Sequence, residues 1–289
     1  MALRVLELFS GIGGWRFALG TRGEVLAAYD ISPAANATYT LNHGTAPRAR
    51  ELATVPFAEL TGVGADTWLM SPPCQPFCRM GAHRDLEDRR SRAFLRLVDL
   101  LREAPPRHLV LENVVGFPGS DAHALLTECL RGQGFRWTER QLCPSRFGLP
   151  NQRPRIFIVA SRGSLRTPEP PDLDAGTVGN FLDAVEDPAL YLDEDTLARH
   201  GPGLDLVRSE DHRTACFIGG YGRRLVGSGS FLRTPRGTRR FSAAEVARLL
   251  GLPSGFRFPE DVPAEARYKL LGNSLSIPVA AWALSHLDG

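Results

Sequence analysis

Short, nearly unbroken apolar runs recur along the first 160 residues, and the stretches between them carry helical spacing. The runs are Val5-Leu6-Glu7-Leu8, Val25–Asp30, Thr67-Trp68-Leu69-Met70, Leu109-Val110-Leu111 and Ile156-Phe157-Ile158-Val159-Ala160. Runs this short, bounded by turn residues, read as strands buried on both faces. Between them, Phe94–Arg102 repeats apolar residues at Phe94, Leu95, Val98 and Leu101, which predicts an amphipathic helix ended by Pro105-Pro106. Ala122–Arg131 predicts another, closed by Gly132. Strand alternating with helix predicts an α/β fold, a mostly parallel sheet with helices on both faces.

The pattern then changes. Residues 164–205 hold ten acidic and two basic residues with many Pro and Gly, whereas residues 212–241 hold seven arginines and no acid. Both read as parts of an inserted, irregular lobe over 161–241, flanked by a main domain of 1–160 and 242–289. Helical spacing returns at Ser242, an N-cap whose partner Glu245 three residues on completes a capping box before Val246, Leu249, Leu250 and a Gly251 stop. The apolar segment Ile277–Leu287 predicts a last helix packed on the sheet.

Composition narrows the function classes. The chain has 289 residues and is 43% hydrophobic, enough for one large core or a core with a small second lobe. No apolar stretch has membrane-spanning length, and Met1-Ala2-Leu3-Arg4 runs directly into a strand, so neither a membrane anchor nor a signal peptide is expected. Five cysteines, Cys74, Cys78, Cys129, Cys143 and Cys216, lack disulfide or zinc spacing, which predicts reduced thiols, a cytoplasmic location and no metal. Net charge is only +2, so overall charge does not announce a nucleic acid. Lys269 is the only lysine, however, and the many arginines are planar, bidentate phosphate donors.

The chemistry lies where the runs end. Pro72-Pro73 terminates its strand, because proline lacks the N–H a ladder needs, and presents Cys74 on a rigid turn suited to a nucleophile. Taken alone, a buried structural thiol explains Cys74 better. Three more segments change that balance: Phe9-Ser10-Gly11-Ile12-Gly13-Gly14 after the first strand, Glu112-Asn113-Val114 after another, and Asn151-Gln152-Arg153-Pro154-Arg155 before a third. Ligands of open α/β sheets bind at the carboxyl ends of strands, so the glycine turn, the thiol and the glutamate should share one cleft. The arginines precede their strand and should reach it from a loop. Asp30, ending the second strand, suits ribose hydroxyls.

These segments, with Gly272-Asn273-Ser274, resemble in type and order the motifs of the C5-cytosine methyltransferases, and they span nearly the whole chain. The resemblance implies a Rossmann-like methyltransferase sheet with a small inserted target-recognition lobe. It implies S-adenosylmethionine as cofactor, leaving S-adenosylhomocysteine, held by Phe9, Ser10, Gly11, Gly13, Gly14, Asp30, Glu51, Leu52, Pro73, Asn273 and Ser274. It further implies Cys74 as the thiolate attacking cytosine carbon-6, Glu112 serving ring N3 and Arg153 polarising O2, with Arg155 orienting the others. Cytosine carbon-5 is a poor nucleophile until such an attack makes it an enamine carbon.

Cys216-Phe217-Ile218-Gly219-Gly220-Tyr221-Gly222 and the following Gly227-Ser228-Gly229-Ser230 are similar to the corresponding segments of the Dnmt2 family, as are Met70–Phe77 and Leu111–Phe117. Ile218 and Cys78 depart from that family, each standing where it has threonine. That family methylates a tRNA anticodon-loop cytosine, chiefly in tRNA for aspartate, so the implied partner is tRNA. DNA is the alternative substrate, and a catalytically silent nucleic-acid-binding protein on the same scaffold is the alternative class. Substrate contacts are expected from Gln75, Arg79, Arg84, Cys216, Phe217, Tyr221, Arg223 and Arg224. The target base must leave its stack, and the polynucleotide must be gripped elsewhere, by arginines on phosphates (Arg233, Arg236, Arg239 and Arg240 included) and by the two aromatic rings on bases.

Overall fold

The computed structural model describes residues 2–73 and 92–287. The chain divides into two compact units: Met1–Leu142, Pro154–Glu169 and Ala280–Gly289 form the first, Cys143–Arg153 and Pro170–Val279 the second. The compact units therefore divide at other places than 161 and 242, and residues 242–279 group with the second.

In the first unit the order is β1 (Leu3–Leu8), α1 (Gly14–Leu19), β2 (Gly23–Tyr29), α2 (Pro33–His43), α3 (Phe57–Thr61), β3 (Thr67–Met70), α4 (Arg92–Glu103), β4 (His108–Val114), α5 (Asp121–Gly132), β5 (Arg136–Leu142) and β6 (Arg155–Ser161). Among the described residues these strands make one six-stranded sheet ordered β2-β1-β3-β4-β6-β5. Pairings β1–β2, β1–β3 and β3–β4 are parallel; β6 runs antiparallel to both neighbours. The sheet is mostly parallel, as the apolar runs predict.

Side-chain alternation explains how both faces are covered. Leu6, Leu8, Trp68, Met70, Leu109 and Leu111 point one way and pack with Phe94, Leu97 and Val98 of α4 and Leu126 of α5. Glu7 and Phe157 point the other way, to Tyr39 of α2 and Trp15 of α1. On α4 the inward stripe is Phe94, Leu97, Val98, Leu100 and Leu101; Leu95, expected inward, is half-buried because the stripe is centred one position later. α5 continues through Gly132, and the chain turns off at Gly134, whose φ of 74° is left-handed.

The second unit contains α6 (Glu194–His200), β7 (Asp205–Val207), β8 (Ser230–Thr234), β9 (Gly237–Arg240), α7 (Ala243–Leu249) and α8 (Ala264–Gly272). The lobe expected to be irregular thus carries a small sheet, β7 parallel to β8 and β8 antiparallel to β9. The capping box forms: Ser242 Oγ accepts from Glu245 N, and Glu245 Oε2 accepts from Ser242 N. α9 (Ile277–Leu284) ends three residues before the expected Leu287, in a tighter turn over Ser285–Leu287.

Candidate active site

Strand order locates the site. The chain leaves β1 toward β2 on one side and returns to β3 on the other, so the carboxyl ends of β1 and β3 flank a switch of direction. Leu8 and Met70, their last residues, stand in register. The Phe9–Gly14 turn and the Ser71-Pro72-Pro73 turn therefore leave the sheet side by side.

The first turn is held by backbone geometry that few residues accept. Phe9 has φ 55°, a left-handed conformation uncommon for a bulky side chain and characteristic of functional turns. Among the described residues other than its chain neighbours, Gly11 (φ 54°) has no atom within 4 Å of where a Cβ would stand. Gly13 (φ 84°) is closed instead: a Cβ there would lie 2.2 Å from His43 Nε2. Asp30 fixes the turn, its Oδ2 accepting from Gly11 N (2.8 Å) and its Oδ1 from Ser32 N (2.8 Å), the residue whose hydroxyl caps α2. Ser10 Oγ is buried and, among the described residues, without a hydrogen-bond partner. Ile31 beside Asp30 is 67% exposed. Open space at Gly11, an unpartnered hydroxyl, a carboxylate and an exposed apolar residue fit a small ligand with polar and flat apolar parts.

Beneath the turn lies a group that sequence reasoning passed over. Glu7, inside β1, is fully buried; its Oε2 accepts from Tyr39 Oη at 2.8 Å and its Oε1 has no partner among the described residues. Burial pushes this carboxyl up to about 8, against the pull of the Tyr39 hydroxyl and of Arg16. His43, packed on Phe17 and Tyr39, is held down to about 4, first by burial and then by Arg16. A charged residue within the run Val5–Leu8 was the signal available.

Glu112 and Arg155 come together in this unit. Glu112 pairs with Phe157 across β4 and β6, and Arg155 lies two residues earlier on the same face of β6, a diagonal neighbour. Arg155 Nε stands 3.3 Å from Glu112 Oε1, both side chains largely buried. Because β6 runs antiparallel, its first residue lies at the carboxyl edge of β4, so Arg155 reaches the site from a strand, where a loop was expected. Asn113 Nδ2 donates to Pro72 O at 3.3 Å, tying the glutamate's strand to the Pro-Pro turn.

Arg153 hydrogen-bonds within the second unit. It belongs to the second unit and is buried, with Nη1 donating to Phe217 O (3.1 Å), Nη2 to Gly272 O (2.8 Å) and to Ser274 O, and Nη1 3.3 Å from Cys216 Sγ. Asn273 closes α8 and Ser274 N bonds Leu271 O, both within the second unit. Expected Glu51 is exposed, Leu52 packs into the main core, and Pro73 is exposed. Cys74, Gln75, Arg79 and Arg84 lie outside the described residues.

The substrate expectations need three corrections. Phe217 and Tyr221 are buried among Phe231, Phe241 and Tyr268, so their rings fill a core and do not stack on bases. Arg239 is buried against Glu245 and is withdrawn from phosphate binding. Arg240 is half-buried, its guanidinium 5.4 Å from the centre of the Phe231 ring. Arg223, Arg224, Arg233 and Arg236 are exposed. Among the described residues no His/Cys/Asp/Glu group could hold a metal, and no helix is long and apolar enough to cross a membrane.

Known proteins resemble this chain over nearly their whole length. A Schizosaccharomyces pombe protein named tRNA (cytosine(38)-C(5))-methyltransferase is 32% identical, over 99% of this chain and 96% of its own. A Dictyostelium discoideum protein named DNA (cytosine-5)-methyltransferase is 29% identical over 99% of this chain and 94% of its own. The structure of the Entamoeba histolytica methyltransferase EhMeth superposes with a TM-score of 0.94 at 25% identity, covering 99% of this chain and 98% of that one. That of S. pombe Dnmt2 methyltransferase superposes at 0.88 and 29%, covering 100% of both. The family described as C-5 cytosine-specific DNA methylase matches residues 3–194 and 206–287. The chain therefore belongs to the C-5 cytosine-specific methylases, enzymes that require a methyl donor.

Proposed function

We propose that this enzyme methylates carbon-5 of a cytosine in the anticodon loop of a tRNA, with the tRNA for aspartate as the preferred substrate and the cytoplasm as its place of action. Phe9–Gly14 and Asp30 would hold S-adenosylmethionine, which would supply an electrophilic methyl group and leave as S-adenosylhomocysteine. The Cys74 thiolate adds to carbon-6 and the Glu112 carboxyl hydrogen-bonds N3, so electron density moves to carbon-5. Carbon-5 takes the methyl group, a base then removes its proton, and the carbon–sulfur bond breaks to restore aromaticity and the thiolate.

The observation carrying this reading is the Glu112–Arg155 pair at the edge where β1 and β3 also end. It favours Arg155 as the donor to the cytosine O2, because a cation beside Glu112 stabilises charge developing on the same ring. Arg153, bonded to three carbonyls, is better suited to holding the Cys216 segment against Gly272–Ser274. The exposed Arg223, Arg224, Arg233 and Arg236 suit the tRNA backbone, and the tRNA-named relative supports RNA. The DNA-named relative keeps duplex DNA as the second reading.

The test is to incubate the protein with labelled S-adenosylmethionine and either total tRNA or duplex DNA. Label should enter tRNA, and Cys74→Ala should abolish it. Wild type alone should form a denaturation-resistant adduct with 5-fluorocytosine-containing RNA. Neutralising Arg223 and Arg224 together should raise the KM for tRNA and flatten its salt dependence, leaving cofactor affinity unchanged. Faster labelling of DNA at a defined motif than of any tRNA overturns the RNA reading.

A further inference from the structure

Trp15 belongs to α1, which grows directly out of the glycine turn. It is 1% exposed, one of the largest fully buried side chains. Its Nε1–H donates to Ser71 Oγ at 3.1 Å. Ser71 is the first residue after β3, one step before Pro72-Pro73 and three before Cys74. The indole is braced from behind by Phe157 of β6, edge-to-face with centroids 6.2 Å apart. Phe157 is the residue paired with Glu112 across the β4–β6 ladder. One side chain therefore touches the turn after β3 and the ring behind Glu112, while its backbone is part of the cofactor turn's own helix.

We infer that Trp15 is a positioning residue for methyl transfer: through its bond to Ser71 it sets the start of the Pro72-Pro73 turn relative to the glycine turn, and Cys74 follows that turn directly in the sequence. The inference rests on the reading of Cys74 as nucleophile. Tryptophan has a donor and no acceptor, so it can orient the Ser71 hydroxyl in one sense only. A buried indole N–H also needs its partner, which makes this bond obligatory in the folded protein. The Asn113–Pro72 bond holds the same turn from the opposite strand, so the turn is fixed on two sides while its prolines fix its own φ angles. A reacting group displaced by an ångström loses much of its rate, whereas ligand binding at a separate turn does not.

Trp15→Phe keeps an aromatic ring on Phe157 and removes the donor; Ser71→Ala removes the acceptor with almost no change of volume. Each should lower kcat for whichever polynucleotide the wild type methylates by about 3- to 10-fold, the scale of one neutral hydrogen bond. Cofactor affinity by calorimetry and the KM for nucleic acid should stay within about twofold. The double variant should be no slower than the worse single one, because both remove the same bond. The alkylation rate of Cys74 by iodoacetamide, followed by peptide mass spectrometry, should change in the same direction in both variants. That readout needs no nucleic acid, so it separates failure of this inference from failure of the substrate reading. Unchanged kcat and unchanged Cys74 alkylation in Ser71→Ala overturn the inference. Losses in Trp15→Phe that multiply with those of Ser71→Ala also overturn it, since they make the indole a packing residue only.

Discussion

Two buried polar regions of this molecule are built on opposite terms. In the second unit, Glu245 is fully buried yet fully used. Its carboxylate accepts from Arg239 twice (2.7 and 2.8 Å), from Ser242 N (2.7 Å) and from Asp183 N (2.9 Å). Beside it Tyr221 Oη donates to Ser230 O and accepts from Phe241 N, while Tyr268 Oη donates to Phe241 O. Around the glycine turn of the first unit, Glu7 Oε1, Ser10 Oγ and His43 Nε2 are buried without partners among the described residues, and Phe9 sits at φ 55°. Polar groups left in this state cost stability, so they persist where something other than stability selects them. Arg239 Nε and Arg240 Nη1 also lack partners among the described residues, so the contrast lies in the two carboxylates: Glu245 is saturated and Glu7 is not.

The sharpest break of this contrast lies in activity. Glu112→Gln should lower kcat by about 10²- to 10⁴-fold, the range for one proton-transfer group, and leave the denaturant midpoint nearly unchanged. Steady-state kinetics and urea unfolding measure the two sides. Glu245→Ala should do the reverse, costing about 3–5 kcal/mol by stranding the Arg239 charge in the interior. A loss of activity at temperatures where Glu245→Ala is still folded would blur the division.

A pH series separates the regions further. The folded Glu7 carboxyl titrates near 8 against an ordinary value of 4.5, so below about 4.5 it is protonated in both states. As pH rises from there toward 8 the unfolded chain releases that proton and the folded one keeps it, and stability falls; above 8 the loss is complete. Glu7→Gln should remove this decline from the unfolding free energy between pH 5 and 8. His43, held down to about 4, contributes in the opposite sense: its share is present above 6.5 and lost as pH falls toward 4.

Smaller effects come from the turn itself. Asp30→Ala should weaken cofactor binding by about 1–3 kcal/mol in calorimetry, since two backbone N–H bonds that shape the turn disappear. Phe9→Gly should change stability by no more than about 1 kcal/mol, because relief of the left-handed strain opposes the added freedom of the unfolded chain, while cofactor affinity falls.

Much of this was readable from the chain. The apolar runs gave the buried strands, the Pro-Pro and glycine turns marked their ends, and Ser242 with Glu245 announced a helix start. Burial inside a glycine-rich, arginine-rich segment was not readable. Phe217, Tyr221 and Arg239 look like a nucleic-acid surface by composition, and only the folding of 212–241 onto Phe241 and Glu245 turns them inward. Nor could spacing assign the arginines. Arg153 and Arg155 are two residues apart, but β6 begins at Arg155, so one bonds carbonyls of the second unit and the other meets Glu112. Glu7 and Trp15 were visible as oddities, a charge in an apolar run and a large ring beside glycines, without the partners that give them meaning.

The reversed strand β6 has a consequence for how the chain is made. β4 and β5 are translated first and joined through α5, yet they do not touch; the single place between them is filled by Arg155–Ser161. Until those residues emerge and insert, β4 carries an open edge and β5 has no partner, both templates for mispairing with another chain. The insertion that protects these edges is the same event that delivers Arg155 to Glu112. A nascent chain therefore keeps these edges open and lacks the Glu112–Arg155 pair over one shared interval, and both conditions end with one strand.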